Sequence, residues 1–177
     1  MPVYLLDKNV ARKTIVGIGH VEQGTVPRLE EVLCLLLLRA AEQGRFIAYI
    51  TPETFNILQR MRHRAEVLPL LSQVEVMQAG RYFKRWARRL REHGFTREDA
   101  NVLALGTFGY DPTRKILGTS AIVTLDHPFI NNYEQHRPAL TRRLSAMTRQ
   151  LTPPFRDAVL PELWTTAEAL ATLRAAE

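Results

Sequence analysis

Short apolar runs separated by helical patterns constrain the fold of this chain more than any other feature. Four such runs are Val3-Tyr4-Leu5-Leu6, Phe46-Ile47-Ala48-Tyr49-Ile50, Val74-Glu75-Val76-Met77 and Ala121-Ile122-Val123-Thr124-Leu125. A strand that is apolar at successive positions buries both faces, as strands of a parallel sheet do. Between the runs, Leu29, Val32, Leu33, Leu36, Leu37 and Ala40 recur at helical spacing and predict an amphipathic helix over about 28–43, stopped by Gly44. Thr51, Pro52 and Glu53 read as an N-cap, a first-position proline and a first-turn acid, opening a helix through Phe55, Leu58 and Met61. A further helical stretch closes around 68–71. Residues 81–92 place Tyr82, Phe83, Trp86, Ala87 and Leu90 on one helical side, and Gly94 ends them. Thr96-Arg97-Glu98-Asp99 has capping-box spacing, with Asp replacing Glu, and begins a helix that continues through Gly106. Beyond 131 the pattern predicts a basic helix near 138–150, a break at Pro153-Pro154, a short fifth strand at Leu163-Trp164 and a closing helix from about Thr166. The expected fold is α/β: a mainly parallel sheet of four to five strands with helices on both faces. It is expected to form one domain over 1–177, with a core of about 1–130 and a C-terminal extension of about 131–177.

Composition narrows the partners. The chain has 24 Lys plus Arg against 18 Asp plus Glu, a formal charge of +6 that favours a polyanion such as nucleic acid or an acidic protein. Arg81, Lys84, Arg88 and Arg91, extended by Arg85 and Arg89, precede any local acid before Glu92, so an external polyanion is the expected counterion. Arg60, Arg62, His63 and Arg64 form a second cluster, and Arg142-Arg143 a third. Trp86 and Tyr82 are assigned to the core. The single Cys34 rules out an intramolecular disulfide. The longest apolar run, Val32 to Leu38, is far shorter than the ~20 residues that span a bilayer. Met1 to Asp7 lacks a basic segment, and the expectation is a soluble, cytoplasmic protein. No glycine-rich dinucleotide or phosphate loop occurs, and neither His spacing nor Cys count suits a soft metal centre.

Carboxylates are the remaining chemistry. Asp7 and Asp126 close apolar strands and Asp99 opens a helix, which in an open α/β sheet gathers acids near the carboxyl-edge crevice. Clustered oxygen ligands suit Mg2+ or Mn2+. Each acid also has a structural reading: Asp99 at a helix start satisfies free N–H groups, and Asp7 or Asp126 can begin an Asx-turn. Asn9 is expected to hydrogen-bond the loop that begins at Asp7.

Tyr4-Leu5-Leu6-Asp7-Lys8-Asn9-Val10, Asp99-Ala100-Asn101-Val102-Leu103-Ala104-Leu105-Gly106 and Ile122-Val123-Thr124-Leu125-Asp126-His127-Pro128-Phe129 resemble, in order, motifs of the PIN-domain family of metal-dependent ribonucleases, which includes the VapC toxins. The resemblance spans 3 to about 130. It implies an Mg2+- or Mn2+-dependent endoribonuclease in which Asp7, Asp99 and Asp126 hold the cation and carry catalysis, with Lys8, Asn9 and Thr124 in support. Arg60, Arg62, Arg64, Arg81, Lys84, Arg85, Arg88 and Arg91 would hold RNA, with DNA the less favoured substrate. It further implies a homodimer and an antitoxin protein as partner. Two positions depart from the family: its second-motif acid falls on Ile57, with Glu53 one turn earlier as a substitute, and Lys8 stands where a small hydroxyl residue is common. The alternative is a PIN-like module that has lost catalysis and binds RNA or protein.

Overall fold

Why the chain starts as it does is local: Val3–Leu6 cannot be solvated on either face, and Asp7 at its end is a strong helix N-cap. The computed structural model, which describes residues 1–176, begins with β1 (Val3–Leu6) followed at once by α1 (Lys8–Glu22), α2 (Leu29–Glu42), β2 (Ile47–Ile50) and α3 (Pro52–Arg60). A 3-10 turn (Ala65–Val67) leads into α4 (Leu68–Leu71), then β3 (Val74–Val76), β4 (Gln78–Ala79), α5 (Phe83–Arg91), α6 (Arg97–Phe108), β5 (Gly109–Asp111) and β6 (Ile116–Leu117). β7 (Ala121–Val123), α7 (His127–Thr148), a second 3-10 turn (Phe155–Asp157), β8 (Glu162–Trp164) and α8 (Thr166–Ala175) complete the chain.

The fold is α/β, with a five-stranded parallel sheet in the order β3-β2-β1-β7-β8. β1 pairs with β2 in the register Tyr4 to Ala48, and β2 with β3 in the register Tyr49 to Glu75. The Asp7 N–H donates to the Val123 carbonyl, and the Thr124 N–H to the Trp164 carbonyl. A second sheet of three short antiparallel strands, β4-β5-β6, was not expected from the sequence. Two- and three-residue strands give too few alternations to leave a periodic trace.

Two compact units divide the described residues: 1–76, 123–125 and 164–176 in the first, and 77–122 and 126–163 in the second. In the first, α1 packs on α2 and α2 on α8, while the Arg45 guanidinium donates to the Leu173 carbonyl at the end of α8. In the second, α5 packs on α6, and Trp86 and Leu90 are fully buried beside Phe108.

Three expectations need correction. The stretch after Asp7 is helix α1 rather than a loop. The helix after β7 starts at His127, eleven residues before the expected 138, because Asp126 caps it and Pro138 sits inside it. In α2 the buried face carries Glu31, Cys34, Leu37, Leu38 and Ala40, so Leu29 is left 73% exposed and Val32 and Leu36 also face solvent. Cys34 is inert by placement, its thiol pushed up to about 12 by burial.

Candidate functional site

Asp7 is engaged through both of its carboxylate oxygens. It is the N-cap of α1, and its Oδ1 accepts from the Lys8 N–H at 2.8 Å. Its Oδ2 accepts from the Thr124 hydroxyl at 2.7 Å and from Asn9 Nδ2 at 3.1 Å. Asn9 reaches the same segment twice more, donating to Thr124 Oγ1 at 3.1 Å and accepting the Leu125 N–H on Oδ1 at 3.1 Å. Thr124 is fully buried and Asp7 only 8% exposed, so these bonds form away from water. The result ties the turn after β1 to the residues following β7, all within the first unit.

Asp126 and Asp99 belong to the second unit. Asp126 is the N-cap of α7 and accepts the Phe129 N–H on Oδ1 at 3.0 Å. Asp99 occupies the third position of α6, its N–H donating to the Thr96 hydroxyl at 3.1 Å. All three acids therefore lie at helix N-termini, two as N-caps and Asp99 in the first turn, where free N–H groups and the helix dipole favour negative charge. Glu53 is exposed in the first turn of α3, and Ile57 one turn on is 41% exposed. Among the described residues, no group of three or more His, Cys, Asp or Glu side chains is placed to hold a metal ion.

The cations named from the sequence are placed differently. On α5, Trp86, Ala87 and Leu90 are buried, while Arg81 just before the helix and Lys84, Arg85, Arg88 and Arg91 on it are exposed. Arg89 pairs with Glu92 at 3.3 Å, and Glu92 also takes the Arg143 guanidinium, whose hydrogen bond holds that carboxyl below the usual range. Lys84, Arg85, Arg88 and Arg91 make no ion pair or hydrogen bond through their side chains among the described residues. Arg60 and Arg62 are exposed as well, whereas Arg64 is paired with Glu66.

Sequence reasoning missed α1, and with it two features. His20 Nδ1 lies 2.7 Å from Glu31 Oε2, linking α1 to a carboxylate that is 2% exposed and also accepts the Arg28 N–H at 2.9 Å. Beside α1 lies a cavity of about 580 Å3, walled by α1, α3 and residues 61–66. The spacing of Val10, Ala11, Thr14 and Ile15 after an N-capping Asp was the available sign of the helix. No family model matches the chain, and no curated protein matches it.

Proposed function

We propose that the chain is a PIN-like α/β module that binds RNA through the exposed cations of α5. The observation that carries this reading is that Lys84, Arg85, Arg88 and Arg91 share the solvent side of one helix with no ion pair among the described residues, while the other side of that helix is locked into the core by Trp86 and Leu90. Such a helix is a rigid platform: its charges cannot collapse onto neighbouring acids, and phosphates can displace their condensed counterions. Guanidinium groups suit phosphate oxygens because two parallel N–H donors meet two acceptors. The PIN-like assignment rests on the three motifs and on their positions: Asp7 directly follows β1, Thr124 directly follows β7, and Asp126, two residues on, caps α7.

Fluorescence anisotropy with a labelled single-stranded RNA tests the reading. The affinity of the native chain should fall steeply with salt, and replacing Lys84, Arg85, Arg88 and Arg91 by Gln should reduce the slope of log K against log salt by about 3, at about 0.7 per phosphate contact. An unchanged slope in that variant would exclude α5 as the RNA surface.

One observation favours the nuclease that the PIN resemblance implies: Asp7, Asn9 and Thr124 are gathered just past the carboxyl end of β1, where α/β sheets place ligands. Incubation of the RNA with Mn2+ or Mg2+ separates the two readings. Cleavage that Asp7→Asn abolishes replaces the binding module with an enzyme, and intact RNA with retained binding supports the module.

A further inference from the structure

The cavity between α1 and α3 has a chemistry that RNA binding leaves unused. Its floor is apolar, with Ala11, Ile15 and Val16 from α1 facing Ile57, Leu58 and Met61 from α3 and its end. Val16 and Ile57 remain 40% and 41% exposed although they stand mid-wall, so this surface lacks a cover within the first unit. Gly19 lies on the same wall, and a Cβ there would meet no atom within 4 Å, which leaves open space at that end of the floor. From Lys8 to Gly19 the wall rises about 16 Å.

Charge is distributed unevenly along it. α1 and α3 both follow parallel neighbouring strands, so their first turns share one end of the groove, which carries Lys8, Arg12 and Thr54. Arg12 is exposed and makes no ion pair or hydrogen bond among the described residues. At the other end the charges are matched internally, Arg64 by Glu66 and His20 by Glu31. The site thus has an apolar trough with the Arg12 guanidinium, unpaired among the described residues, at one end, in a volume within the ~300–1,000 Å3 of small-ligand pockets. A nucleic-acid strand would need cations along the whole length, and the middle offers only hydrocarbon.

We infer that the groove binds a single-chain amphipathic anion, a free fatty-acyl carboxylate, with its chain on the Ile15–Ile57 floor and its head beside Arg12. The apolar contacts supply affinity, the guanidinium fixes polarity, and the gap at Gly19 admits the end of the chain.

Isothermal titration calorimetry with octanoate, decanoate and dodecanoate, each below its micelle concentration, tests this, with dodecylamine as the cationic control. Affinity should rise by up to about fourfold per added methylene, and dodecylamine should bind far more weakly. Arg12→Glu should weaken dodecanoate binding by about tenfold or more, since it removes a charge-assisted hydrogen bond. Gly19→Leu should abolish binding by filling the trough while raising helix propensity, and circular dichroism will show that it folds. Equal affinity for dodecylamine, unchanged binding in Gly19→Leu, or absence of heat with every carboxylate would each overturn the proposal. So would sedimentation with anionic phospholipid vesicles in the absence of binding to free dodecanoate.

Discussion

Asp7 and Asp126 occupy equivalent places, each following a central strand and capping the next helix, yet the chain uses them differently. Asp126 satisfies the Phe129 N–H from one carboxylate oxygen, a local task that involves three residues of chain. Asp7 performs the same local task on Lys8 and also accepts Asn9 and Thr124, the latter 117 residues away in sequence. The difference lies in what happens when the acid is lost. A capping acid at a half-buried turn leaves N–H groups that water can reach, whereas an acid at the centre of a buried set leaves several donors without a partner.

The largest effect should follow from breaking this contrast at Asp7. Asp7→Ala removes the cap and leaves the Thr124 hydroxyl without its acceptor while Asn9 keeps Thr124 Oγ1, a cost of about 3 kcal/mol on summing a cap and one buried unsatisfied group. Asp126→Ala removes the cap on the Phe129 N–H, a loss of about 1 kcal/mol. Urea unfolding of both variants measures the difference, and equal losses would show that the contacts of Asp7 with Asn9 and Thr124 contribute nothing beyond capping.

The smallest effect concerns Glu31, an acid that links helices as Asp7 links segments but can be titrated in place. The Arg28 N–H, with His20 beside it, holds the Glu31 carboxyl below its ordinary range. Its folded pKa is therefore depressed, so its contribution to stability is fully present above the unfolded value of about 4.3 and is lost as pH falls through the lower folded value. Glu31→Gln should flatten the acid side of a melting-temperature profile and leave its shape near neutrality unchanged. An acid limb as steep as in the native chain would remove Glu31 from the account.

Alternation of apolar runs and helical spacing was enough to locate β1, β2, β3, β7 and β8 and most helices, because each run is short and each stop is chemical: Gly44 and Gly94 adopt positive φ where α2 and α5 have ended, and Thr51 caps α3 through the Thr54 N–H. α1 was illegible for a physical reason. Its buried side includes Thr14 and Gly17, and its two glycines lower helix propensity, so the helical spacing of Val10, Ala11, Thr14 and Ile15 was a weak mark. The rotation of α2 has a similar origin, since a buried Glu31 makes sense only once His20 is known to face it. The basic helix was expected from about 138, yet that position lies well inside α7, a helix whose beginning is fixed by Asp126. For the candidate site, the sequence located the acids at strand ends and helix starts, but it could not reveal which donors would claim their oxygens. That depends on residues more than a hundred positions apart.

The bond from Thr124 to Asp7 also bears on when this protein can finish folding. β1 leaves the ribosome well before β7 but lies in the interior of the sheet order, between β2 and β7, so one of its edges waits for a strand encoded some 117 residues later. At about 5–20 residues per second, that is roughly 6–25 s during which an apolar edge stands open. A chain so arranged depends on what shields its first strand while the rest is being made.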